Sequence, residues 1–145
     1  MNYFERLKKR MAKSLAGAKI EIIKRTQSGK DIHDRPFVPY SKQYAEYKQE
    51  NDRSATPVNL TYNFDMLGSI FFDVNQAGGN LSGRLFIPGV VNVANTKTPN
   101  AATKAYMHNN GVGKMPKREF FGLSKAQVDK IMNALKTEIM KGGLL

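Results

Sequence analysis

Apolar residues recur at steps of three and four through the first part of the chain. Phe4, Leu7, Met11, Leu15, Ala18 and Ile22 fall on one helical stripe. Arg6, Lys9, Arg10 and Lys13 lie largely off it, so the spacing predicts a basic amphipathic helix within residues 1–28, ended by Ser28-Gly29. Gly17 weakens its centre by up to about 1 kcal/mol relative to alanine. Such a helix can lie on a membrane, enter a partner's groove or cap the core of its own domain, and the last is its commonest fate.

Pro36 and Pro39 make Asp34–Tyr40 extended, because each removes a donor and restricts the residue before it. Ser41 then caps a short helix carrying Tyr44 and Tyr47, and Lys48 to Pro57 reads as loop. Asn63 is placed to cap a second short helix that turns Met66, Leu67 and Ile70 inward. Two runs of β-formers follow, Ile70–Val74 and Arg84–Ile87, with turn material at Gln76–Asn80, which predicts an antiparallel pair. Val90–Ala94 is a third strand or a continuation past a bulge, and Ala101–Asn110 is a short helix ended by Gly111.

The last element carries the clearest signature. Ser124 and Gln127 form a capping box, Leu123 and Val128 occupy the positions of a hydrophobic staple, and Val128, Ile131, Leu135 and Ile139 make the apolar stripe. Gly142-Gly143 stops it. This order predicts an α+β fold: a small, mostly antiparallel β-sheet flanked by an N-terminal and a C-terminal helix. One domain over 1–145 is expected, with the basic helix at 1–28, loops, short helices and sheet at 30–123, and the terminal helix at 124–141.

Composition narrows the function. The 145 residues include 23 Lys and Arg against 12 Asp and Glu, for a net charge of +11. Residues 1–30 hold net +7, 31–100 net −1 and 101–145 net +5, so both ends are basic around a neutral middle. That field suits a polyanion or an acidic protein surface, and equally a solvated face that keeps the protein soluble. Lys8, Lys9, Arg10 and Lys13 are the candidates for contact with DNA or an acidic partner. The absence of cysteine excludes disulfides, Cys-ligated metals and a thiol nucleophile. No apolar run reaches the roughly 18 residues of a membrane span, and the charged start lacks the apolar stretch of a signal peptide.

Candidate chemistry is sparse. His33 and His108 are the only histidines, without H-x-x-x-H or H-E-x-x-H spacing, and no G-x-S-x-G is present. Gly78-Gly79 and Gly111–Lys114 miss the phosphate-loop pattern and read as turns. No catalytic, metal or cofactor site is expected, and an enzyme is not expected. The informative segment is Met115–Ser124, which joins a turn, the basic pair Lys117-Arg118, adjacent Phe120 and Phe121, and a helix cap. In extended backbone the two rings point to opposite sides, so one can enter the core while the other faces a neighbour, unless the terminal helix buries both.

Three blocks resemble the phage virion morphogenesis family, the tail-completion or head–tail neck proteins of tailed bacteriophages. They are Arg35–Ala45, Leu60–Ile70, and Tyr106–Gly111 running on to Met115–Ser124, the last with an M-P-x-R-x-F-x-G-L-S ending. The stretch Arg84–Thr103 departs from the family pattern, being longer and more irregular. The resemblance implies a structural virion protein, without cofactor or small-molecule substrate, that joins head to tail. It implies a fold like tail-terminator proteins and a homo-oligomeric ring of six or twelve copies. The partners implied are portal or connector and tail-tube proteins, and the DNA backbone if the basic helix lines the channel. No membrane is involved, and the chain would be assembled in the host bacterial cytoplasm. Tyr40, Tyr44, Met115, Pro116, Arg118, Phe120 and Phe121 are the candidate subunit or partner contacts. The alternative reading is a basic nucleic-acid-binding module without catalytic activity, although no helix-turn-helix, RRM or zinc-finger signature is present.

Overall fold

A computed structural model of the chain describes residues 1–61, 64–94 and 97–142. The elements run α1 (Tyr3–Gln27), α2 (Lys42–Glu50), α3 (Asp65–Gly68), β1 (Phe71–Ala77), β2 (Asn80–Phe86), α4 (Ala101–Asn110) and α5 (Lys125–Lys141). Helices at both ends and one antiparallel two-stranded sheet make the fold α+β. Contacts divide the chain into two compact units. One comprises Met1–Glu21, Phe71–Phe86 and the chain from Leu123 onward, and the other Ile22–Ile70 and Ile87–Gly122.

The first unit joins the front of α1, the hairpin and α5. Leu7, Leu15 and Ala18 on the α1 stripe are buried, and so is Leu135 on α5. α5 runs antiparallel to α1: Lys130 and Gln127 donate to the Glu21 carboxylate at 2.7 and 3.1 Å, while Arg6 pairs with Glu138 at 3.0 Å. Gly83 of β2 admits the helix closely, since a Cβ there would meet Met11 Sδ at 2.5 Å and Leu15 Cδ1 at 2.7 Å. The capping box is formed in both directions, with Ser124 N–H donating to Gln127 Oε1 at 2.8 Å and Gln127 N–H to Ser124 Oγ at 3.2 Å. Val128 departs from the expected stripe. It is exposed, so burial on α5 centres on Leu135, with Ile131 and Ile139 half-buried.

Pairing in the hairpin extends from Phe71↔Phe86 to Ala77↔Asn80, which leaves only Gly78-Gly79 as the turn. The strands are therefore longer than their apolar runs. Gly78 has φ +59°, and glycine at the first position of a two-residue loop matches the strand twist, so pairing propagates through the polar ends. Asp73 and Arg84 face each other across the ladder in a paired contact of 2.9 Å to both carboxylate oxygens.

Val90–Ala94 is not a strand. Its backbone is taken by side chains at the start of α4: Asn100 Nδ2 donates to Val90 O at 2.9 Å, and Asn92 N–H donates to Thr103 Oγ1 at 3.0 Å. The expected Asn63 cap lies outside the described residues, and Phe64 stands at the α3 N-cap position with φ 65°. α2 starts at its Ser41 cap as expected but continues to Glu50, beyond the expected loop start at Lys48. α4 matches its expected bounds, and Gly111 closes it in the left-handed conformation at φ 67°. Any side chain there would also meet Lys117, whose backbone nitrogen lies 2.7 Å from the position of a Cβ. The second unit's core gathers Ile22, Phe37, Val58, Leu67, Ile70 and Phe120.

Candidate functional site

The second unit holds a cleft of about 670 Å³. Its aromatic wall comes from the extended segment before α2 and from α2 itself. Tyr40 and Tyr44 meet edge to face at 4.9 Å, and Tyr44 and Tyr47 lie 6.2 Å apart at a 32° tilt. The Ser41 cap fixes this wall, because its Oγ accepts the Tyr44 N–H and starts the helix there. Tyr44 and Tyr47 are 38% and 48% exposed. Phe64 and Met66 contribute from α3 and its cap, and Met115 and Pro116 from the loop after α4.

Beneath the wall lies an arrangement that the sequence did not disclose. Lys48 is 0% exposed and its ammonium donates to Asn59 Oδ1 at 3.1 Å and Thr61 O at 3.3 Å. Arg118, 4% exposed, donates from Nε to Val38 O at 2.8 Å and from Nη2 to Pro39 O at 2.9 Å. Both cations lie over the Tyr40 ring, at 4.9 Å for Lys48 and 5.1 Å for Arg118. The ring's negative face is attractive to cations and offsets part of their desolvation. The Tyr40 hydroxyl accepts the Leu60 N–H at 3.1 Å. Burial raises the Tyr40 phenol above its ordinary pKa, and it lowers Lys48 and Arg118 below theirs, Arg53 adding to the effect on Lys48.

Asn109 orders the segment that follows. Its Oδ1 accepts the N–H groups of both Phe120 (3.0 Å) and Phe121 (2.9 Å), and its Nδ2 donates to Phe121 O at 2.9 Å. Arg25 Nη2 donates to Phe120 O and Gly122 O at 2.8 and 3.1 Å. Phe120 is thereby held at 0% exposure, which corrects its assignment as an interface residue: a ring wholly inside the core cannot touch a partner. Phe121 is half-buried. Five of the seven expected contact residues, Tyr40, Tyr44, Met115, Pro116 and Arg118, line the one cleft.

The histidines do not converge on a reaction. His33 is exposed in a turn built by Asp31, whose carboxylate accepts the His33 and Arg35 N–H groups at 2.8 and 2.9 Å. Burial alone would raise the Asp31 carboxyl, but those N–H groups and the Arg35 guanidinium outweigh it and hold the pKa low. His108 lines the cleft with its Nδ1 buried and without a hydrogen-bond partner among the described residues. Burial, and then the Arg118 charge, push its imidazole down to about 4.

That shift has a measurable consequence. Between pH 4 and 6.5 the unfolded imidazole binds a proton that the folded one does not, so the stabilisation is complete above pH 6.5 and is lost as pH falls through about 4. The expected loss is about 3 kcal/mol. Urea titrations at pH 7 and pH 4 should show a smaller difference for His108→Ala than for the native chain.

On α1, Lys8, Lys9 and Lys13 are exposed and Arg10 is half-buried. Arg10 and Lys13 line a second cleft, of about 390 Å³, between α1 and α5, whereas Lys8 and Lys9 lie outside it. Arg10 Nε is buried there with no hydrogen-bond partner among the described residues.

Comparison with protein-family models, with curated proteins and with solved structures finds no match to the chain. Its own geometry therefore carries the functional argument. Among the described residues no three His, Asp or Glu side chains gather as metal ligands, and no helix is long and apolar enough to cross a membrane. Several contributors to the cleft were missed at the sequence level. Lys48 breaks the rule that lysine is surface, and Asn109 sits in a polar helix end whose composition does not reveal its bonds. Tyr47 and Lys114 were legible only as helix and loop residues.

Proposed function

We propose that the chain is a structural virion protein of a tailed bacteriophage that joins head to tail as a neck or tail-completion ring, without catalysis. One observation carries the reading. The three blocks that resemble the virion morphogenesis family, separated by tens of residues, meet at a single cleft: Tyr40 and Tyr44 from the first, Phe64 and Met66 from the second, His108, Met115 and Arg118 from the third. A surface of half-exposed tyrosines and methionine suits a protein contact, in which such residues are enriched. The ring of six or twelve copies, the terminator-like fold and contact with portal or tail-tube proteins belong to this proposal. A cyclic ring needs two different faces per subunit, and the tyrosine cleft is the candidate for one of them.

The α1 charges decide between two attachments. If the helix lines the channel, it meets phosphates without reading sequence. If it docks on an acidic connector surface, it holds the subunit in place. Reversing Lys8, Lys9 and Lys13 to glutamate should leave folding nearly unchanged, because all three are exposed. Counting the subunit in purified mutant particles separates the cases. Absence supports docking, and full occupancy with leaking DNA supports the channel. Unaffected particles would remove both.

A further inference from the structure

The charges around the tyrosine cleft do not balance. Lys104, Lys114 and Arg118 line it against one carboxylate, Asp65, which pairs with Lys104 at 3.0 Å. Arg118 has five N–H donors, and its Nε and Nη2 are used on the carbonyls of Val38 and Pro39. Its Nη1 makes no hydrogen bond among the described residues, and the residue as a whole is 4% exposed. Lys48 lies below, equally without a carboxylate. Buried cations are ordinarily paired with anions, because desolvating them is costly. Among the described residues no carboxylate is bonded to either Arg118 or Lys48.

We propose that the cleft takes an acidic peptide segment of a protein partner, with a carboxylate at Arg118 and Lys114 and an adjacent apolar side chain among Tyr44, Met66 and Met115. Arg118 suits this role because its planar fork is already oriented by two carbonyls and presents its remaining edge without further loss of freedom. Lys114, exposed at the rim, adds charge that steers an acidic chain inward. Nucleic acid fits less well. Base recognition without sequence preference needs open aromatic faces and a cationic track, but the Tyr40 ring is already covered by two cations, and the tyrosines are turned 68° and 32° to one another. Much of the remaining lining is apolar, from Leu60, Met66, Met115 and Pro116. The proposal deepens the reading of this cleft as a partner surface and rests on that reading; it does not depend on the virion setting.

The test uses the full chain and three probes: a capped hexapeptide alternating glutamate with leucine, the same peptide with glutamine for glutamate, and a short oligothymidylate. Calorimetric titration at two salt concentrations, with amide chemical shifts to locate the site, gives the affinities. The expected result is binding of the glutamate peptide at Tyr44 and Met115, with the glutamine peptide at least about tenfold weaker. Lys114→Glu, at an exposed position that folding does not need, should weaken the glutamate peptide about fivefold. Equal affinity for the two peptides, preference for the oligonucleotide, or no binding of either peptide would overturn the proposal. The underlying partner-surface reading is tested separately by Tyr44→Ala: if that variant still disappears from assembled particles while neither peptide binds, the surface stands and only its acidic specificity falls.

Discussion

Replacing Phe120 with alanine should destabilise the protein by about 3–5 kcal/mol, the largest single loss expected from any side chain. The ring is 0% exposed, and its backbone is held on both sides, by Asn109 at the N–H and Arg25 at the carbonyl. These bonds resist collapse of the segment into the space a truncation would leave, which places the cost toward the upper part of the range. Urea unfolding at pH 7 measures it. Phe121→Ala, at a half-buried position, should cost distinctly less. Equal losses at both positions would mean that the two rings share the core equally, contrary to their different burial.

Arg118→Met should follow closely, with an expected loss of about 2–4 kcal/mol. Methionine fills much of the volume but leaves the carbonyls of Val38 and Pro39 without donors, and hydrogen bonds from charged groups contribute about 1.5–3 kcal/mol each. Removing a buried cation recovers part of that, which is why the two bonds do not simply add. Arg118→Lys should restore little. A lysine keeps the charge but cannot hold two carbonyls in a planar fork while lying over the Tyr40 ring. Urea unfolding of the three proteins gives the order native, then lysine and methionine close together. A lysine variant as stable as the native chain would show that charge alone, without the fork, holds this segment.

The parts of the fold that could be read in advance are those whose signals are local. The α1 stripe, the Ser124–Gln127 capping box, the Ser41 cap and the Gly111 stop each depend on residues within a turn or two, and all four formed where expected. Errors came where a distant partner decides. Val90–Ala94 has the composition of a strand but finds its hydrogen bonds on Asn100 and Thr103, and nothing in the valine run points to them. Val128 matches the period of its helix yet lies at the open edge of the stripe. The cleft was legible in part, since Tyr40, Tyr44, Met115, Pro116 and Arg118 were all expected to meet a partner. Placing Phe120 there was an error of burial: the expected splay of the two rings to opposite sides does not occur, since their centroids lie 6.1 Å apart, with Phe120 wholly buried and Phe121 half-buried. Lys48 was legible as nothing but surface, because a buried lysine contradicts every local preference and is held, among the described residues, by Asn59, Thr61 and the Tyr40 ring brought in by the tertiary fold.

The most direct test of the structural reading is electron microscopy of particles produced from the genome that encodes the chain, with and without its gene, using a gold-labelled antibody against the protein. The expected result is label confined to the head–tail junction or the adjoining end of the tail. When the gene is deleted, filled heads and tails should accumulate unjoined, or heads should lose their DNA. Complete, infectious particles assembled without the chain, or label absent from every particle that contains a tail, would contradict the account.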